Sequence, residues 1–146
     1  MFNKILLASD GSEDAMNAAA VAAEMATKFG SKVVVVNVFT MPPMVTPYVG
    51  SLGLDLDPVA LNRIADEAQA AVCKHTGEVL AKAGVSYETR NEIGNPAEVI
   101  ITTAEEEKCD LIVLGSRGLS GVQSFFLGSV SDRVTHHAHC PVLIVR

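Results

Sequence analysis

Residues 33–39 read Val33-Val34-Val35-Val36-Asn37-Val38-Phe39, a β-branched and almost continuously apolar run. Such a run is the pattern of a parallel strand covered on both faces, and it predicts a central place in a sheet. On its N-terminal side, Lys4 to Ser9 (KILLAS) forms another short apolar run, closed by the turn cluster Asp10-Gly11-Ser12. Glu13 and Asp14 then open a helical pattern, acids in the first turn suiting the positive end of the helix dipole. Its apolar stripe is Ala15, Ala19, Ala22, Ala26 and Phe29, and Gly30 supplies the left-handed residue that commonly ends a helix.

On the C-terminal side of the valine run, Thr40 to Asp57 carries three prolines and two glycines, the composition of a lid, a binding loop or an irregular excursion. Asp57-Pro58 reads as an N-cap followed by proline at the first helical position, opening a long helix that ends before Gly84, with Gly77 a local weak point. Val85 to Glu92 alternates apolar and polar residues, so it predicts an edge strand with one wet face. Asn95-Pro96-Ala97-Glu98 predicts a capped helix through about Lys108, Glu98 reaching back to the cap. Asp110 to Leu114 (DLIVL) is a further buried strand. A helix from about Ser129 to His139 follows, and a last strand opens at Pro141, where the missing proline donor is tolerated. The order β-α-β-α-β-α-β-α-β, with short apolar strands, predicts a parallel sheet between two helical layers, a doubly wound three-layer α/β/α fold.

The 146 residues suit a single domain. Hydrophobic residues make up 49% and charged residues 19%, and the mean hydropathy of +0.30 excludes an intrinsically disordered chain. A net charge of −6 argues against binding nucleic acid or anionic lipid as the main activity. The opening residues predict no signal peptide, and no apolar stretch reaches the roughly 18 residues of a membrane span. Cys73, Cys109 and Cys140 are odd in number with no CxxC pair, which reads as reduced thiols in a cytoplasm.

The chemistry concentrates after the fourth strand. Gly115-Ser116-Arg117-Gly118 is followed by nine residues and then Gly128-Ser129 at the mouth of a helix. Glycines there let a backbone approach a ligand closely, and free amides with the helix dipole attract an anion. The pattern is neither the GxxxxGK[ST] loop nor a GxGxxG after the first strand.

These residues resemble the universal stress protein family, whose ATP-binding members carry G-x2-G-x9-G-[ST] at this place. The resemblance extends to the opening KILLASDGS, the VVVVNVF strand and the closing Cys140-Pro141-Val-Leu-Ile-Val. It implies a Rossmann-like five-stranded sheet ordered 3-2-1-4-5, of the adenine nucleotide alpha hydrolase type, with ATP at the carboxyl ends of strands one and four. That is also where open α/β sheets bind ligands, at the crevice where strand order reverses. By resemblance, Ala8, Ser9 and Asp10 line the nucleotide, and Val38 contacts adenine through its backbone. Leu114, Gly115, Arg117 and Gly118 follow ribose and phosphates, and Gly128, Ser129, Val130 and Ser131 close on the phosphate tail.

Some of these features have a plainer alternative, and the glycine loop could be a flexible connector. Asp10 has the type of residue that caps the first helix, and Arg117 in an exposed loop could be merely solvated. His136, His137, His139 and Cys140 look like metal ligands, but their spacing turns them in different directions, and cations suit a helix C-terminus. Met16 and Met25 read as core packing. With Asp10 as the one carboxylate near the motif and no P-loop lysine, the sequence favours ATP binding with little turnover, Mg2+ riding on the phosphates. The alternative is a slow ATP hydrolase or phosphotransfer enzyme in the same pocket. The last strand, apolar on both faces and predicted at an edge, suggests a homodimer through Val142 to Val145, which the resemblance also implies.

Overall fold

The computed structural model describes residues 1–40, 57–119 and 127–146. Most of the Thr40 to Asp57 segment, and residues 120–126 of the glycine loop, lie outside them. In chain order the elements are β1 (Lys4–Ala8), α1 (Glu13–Phe29), β2 (Lys32–Phe39), α2 (Pro58–Lys82), β3 (Tyr87–Ile93), α3 (Pro96–Glu106), β4 (Leu111–Gly115), α4 (Ser129–His137) and β5 (Val142–Val145). The five strands form one sheet in the order β3-β2-β1-β4-β5, and all four pairings are parallel. The expected α/β/α architecture is the observed one.

Strand alternation divides the core into two halves. Ile5, Leu7, Val33, Val35, Leu111 and Val113 pack on α1 and on Leu80 of α2. Leu6, Val34, Val36, Ile112 and Leu114 pack on Ala97, Ile100 and Ala104 of α3 and Val134 of α4. Both faces of β1, β2 and β4 are therefore dry, the reason these strands carry near-continuous apolar runs. The valine strand is interior as expected, although β1 takes the middle and β2 lies one in from the edge. β3 is the edge strand on that side, and apart from the half-buried Glu92 it is exposed along its length, wetter than alternation alone implies.

The alanine stripe of α1 is broader than predicted, since Ala18 and Ala23 are buried with the others. Small side chains let the helix lie close on the sheet. Phe29, by contrast, is 38% exposed and meets Phe2 edge to face. Gly30 ends α1 with φ 69°, the left-handed cap expected of it. α2 runs through Gly77 unbroken, and a Cβ there would sit 2.5 Å from the Tyr87 hydroxyl, so the glycine makes room for that ring.

Three boundary expectations are corrected. Glu98 does not reach back to its cap: Asn95 accepts the Glu98 N–H, and the Glu98 carboxylate instead meets Arg133 of α4 at 3.0 Å. α3 stops at Glu106 because Lys108 turns left-handed at φ 53°. α4 stops at His137, where Ala138 becomes extended.

Candidate functional site

A cavity of about 510 Å³ opens at the carboxyl ends of β1, β2 and β4, within the usual range for small-molecule sites. It lies where β1 parts its two neighbours, β2 on one side and β4 on the other. All twelve residues named from the sequence line it: Ala8, Ser9, Asp10, Val38, Leu114, Gly115, Arg117, Gly118, Gly128, Ser129, Val130 and Ser131. Ile100 and Pro96 of α3 and Leu119 add an apolar wall that the motif did not mark.

The β1–β2 boundary supplies the first polar feature. Ser9 N–H donates to the Val36 carbonyl at 3.0 Å, so even-numbered residues of β2 turn their peptide groups toward β1. β1 ends at Ala8 while β2 continues to Phe39. The N–H and C=O of Val38 thus face the gap left by β1, and they have no backbone partner among the described residues. One free donor and one free acceptor, on the same edge of one residue, face the cavity.

The second feature is the entrance of α4. Its cap, Gly128, offers no side-chain hydrogen bond, so the first-turn amides of Ser129, Val130 and Ser131 have no backbone acceptor among the described residues. Such a helix mouth attracts anions. Two groups expected to serve a phosphate are otherwise engaged. The Gly128 N–H donates to the Ser116 carbonyl at 2.8 Å, and the Ser131 hydroxyl lies 2.9 Å from that same carbonyl and 3.0 Å from the Gly128 carbonyl. Both hold the ends of the glycine loop together, which leaves the Ser131 backbone amide, not its hydroxyl, at the helix mouth.

Asp10 is not the cap of α1. That place belongs to Ser12, whose Oγ accepts the Ala15 N–H at 3.2 Å. Asp10 Oδ1 accepts the Ser12 N–H at 3.0 Å, and Oδ2 lies 2.7 Å from where a Gly118 Cβ would stand. Gly118 therefore gives the Asp10 carboxylate its space. Gly115 serves packing as well: a Cβ there would come within 2.8 Å of the Asp14 backbone, so its absence lets α1 begin directly over the end of β4.

Arg117 is neither free nor merely solvated. Its Nε donates to Asp14 Oδ2 at 3.3 Å, and the Ser116 Oγ donates to the same oxygen at 2.8 Å. The Ser116 hydrogen bond, followed by Arg117, holds the Asp14 carboxyl below the ordinary aspartate range. Sequence reading assigned Asp14 to the helix dipole alone. Its partners lie 102 and 103 residues away, so no local signal could have found them. Among the described lining residues Arg117 is the one cationic side chain and Asp10 the one carboxylate.

Behind the β1–β2 gap lies a polar cluster that sequence reading also missed. Asn37 donates Nδ2 to the Ser9 carbonyl at 2.7 Å, Ser9 Oγ and Thr76 Oγ1 are 2.8 Å apart, and Gln69 donates Nε2 to the Glu92 carbonyl at 2.8 Å. The histidines lie away from the cavity and face separate partners, His136 the Asp132 carbonyl at 2.8 Å and His139 the Cys109 carbonyl at 3.2 Å.

A model of the Universal stress protein family matches residues 1–146. A universal stress protein of Thermus aquaticus, encoded in the QAH/OAS sulfhydrylase 3' region, is 43% identical over 147 residues and covers all of both chains. Among solved structures, a universal stress protein in complex with cAMP superposes with a TM-score of 0.76 at 24% identity, covering 99% of this chain and 97% of the other. The Archaeoglobus fulgidus universal stress protein in complex with dAMP gives 0.66 at 23% identity, covering 100% and 98%. With its whole length matched, its strand order shared and its glycine motif at the mouth of α4, the chain belongs to the universal stress protein family.

Proposed function

We propose that this protein binds ATP in the β1–β4 cavity and acts as a regulatory module with little or slow hydrolysis. One observation carries the reading: a single cavity is lined both by the open peptide edge of Val38 and by the uncapped first turn of α4. The first offers a donor and an acceptor to a nucleobase; the second suits an anionic phosphate tail. Relatives of this fold hold cAMP and dAMP, and the family resemblance extends the ligand to ATP. Mg2+ would ride on the phosphates with its own waters.

Slow turnover follows from the charges. Phosphoryl transfer needs cationic groups on the transferring phosphate and a group that positions the nucleophile. Arg117, the cation of the described lining, is already paired with Asp14. Two further features belong to the same reading. β5 is an edge strand of apolar sequence, so a second copy pairing along Val142 to Val145 would cover it. The three cysteines are free thiols, which suits a reducing compartment such as the cytoplasm.

The test is titration calorimetry of the purified chain with Mg2+-ATP, with Gly118→Val as the control. Saturable heat in the wild type that is lost in the variant supports the reading. An absence of heat at millimolar nucleotide, from protein shown to be folded and nucleotide-free, overturns it.

A further inference from the structure

The valine strand has one polar interruption, and it is buried. Asn37 is 5% exposed between Val36 and Val38, and an amide placed there costs free energy unless its hydrogen bonds are made. A valine would continue the pattern of the strand, so the choice of amide calls for a physical reason.

The register supplies one. In a parallel ladder, the rung after Ser9 N–H to Val36 C=O runs from the Val38 N–H to the Ser9 carbonyl. That rung is missing, and the Ser9 carbonyl accepts instead from Asn37 Nδ2 at 2.7 Å. The following rung, from the Gly11 N–H to the Val38 carbonyl, is missing too, the Gly11 N–H lying 3.4 Å from Ser9 Oγ. Both diversions are locked from the α2 side: Thr76, 0% exposed, holds Ser9 Oγ, and Gln69, 2% exposed, spans the Asn37 and Glu92 carbonyls at 3.4 and 2.8 Å.

We propose that Asn37 is a positioning residue that occupies the Ser9 carbonyl so that the Val38 peptide stays open to a nucleobase. Without the Asn37 amide, the Ser9 carbonyl would be a bare acceptor one rung from a bare donor, and β1 and β2 would zip together across the base-binding edge. The inference rests on the nucleotide reading for its ligand. Its structural half, an unladdered Val38 amide, does not.

The experiment therefore has two arms, applied to the wild type, Asn37→Leu and Asn37→Ala. Hydrogen exchange by NMR on nucleotide-free protein should show the wild-type Val38 amide exchanging much faster than the Val36 amide, and slowing toward it in the variants. Calorimetry should show adenosine affinity falling about tenfold in the variants, the worth of one hydrogen bond, with inorganic tripolyphosphate affinity unchanged. A Val38 amide as protected as Val36 in the wild type overturns the proposal even if no variant folds. Equal loss of adenosine and tripolyphosphate binding also overturns it, since that is the mark of general damage. A wild type that shows the fast Val38 amide but binds neither ligand defeats the nucleotide reading and leaves the structural half standing.

Discussion

Replacing Asp14 by alanine should loosen the glycine loop from α1, and the size of the effect follows from the contacts. Asp14 Oδ2 receives the Ser116 hydroxyl at 2.8 Å and the Arg117 Nε at 3.3 Å. Ser116 is 3% exposed, so deleting its partner strands a buried hydroxyl, at a cost of about 1–3 kcal/mol. The Arg117 side chain is 38% exposed, so solvent screening limits its share to at most about 1 kcal/mol. Losing an acid from the first turn of α1 adds about 0.3–1 kcal/mol. Asp14→Ala should thus lower stability by roughly 2–4 kcal/mol near neutral pH in urea unfolding, with an unchanged denaturant slope. The pH dependence has a definite sign. The Asp14 carboxyl titrates lower in the folded chain than in the unfolded one, through Ser116 first and Arg117 second. Its ionic contribution is therefore complete above the unfolded value of about 4 and disappears as pH falls through the folded value. The difference between wild type and Asp14→Asn should shrink steadily on acidification below that point. An alanine variant within about 0.5 kcal/mol of wild type, or a wild-type to asparagine difference that does not move with pH, would refute the argument.

Three further outcomes are expected. Gly115→Ala should destabilise by about 1–3 kcal/mol in the same assay, as overpacking does, because its new Cβ would stand 2.8 Å from the α1 backbone; wild-type stability would show that α1 yields freely. Glu107→Gln should remove stability at neutral pH and little in acid: its carboxyl, held low by Lys4 and then Arg90, contributes above the ordinary glutamate range and loses that contribution as pH falls through the folded value, so a pH-independent deficit would count against it. Odd-numbered residues of β5 turn their peptide groups toward β4, as the Val145 carbonyl accepting the Ser116 N–H shows. Ile144→Pro therefore removes an outward N–H while sparing that ladder, and light scattering should report the 15.4 kDa monomer in place of a wild-type dimer; a wild type already monomeric at micromolar concentration ends the dimer proposal.

What the sequence determined alone was whatever depends on neighbours along the chain. A strand buried on both faces carries a nearly continuous apolar run, so VVVVNVF declares itself. Caps act within one turn, so Asn95-Pro96 and Gly30 mark helix ends. The glycine spacing pointed to a loop at the mouth of α4, and the resemblance to twelve residues that line one cavity. What only the tertiary structure decided was how distant residues divide the available hydrogen bonds. Asp14 meets Ser116 and Arg117 from the far end of the chain, so the arginine expected beside the phosphates also pairs through its Nε with a carboxylate. Ser131, expected to close on the phosphate tail, turns its hydroxyl onto the Ser116 carbonyl. Asn37 looks like a blemish in a valine strand until β1 lies beside it with the Ser9 carbonyl in reach. A donor has only so many protons and a carbonyl only two lone pairs; which partner takes them depends on distances in space, which spacing along a chain does not encode.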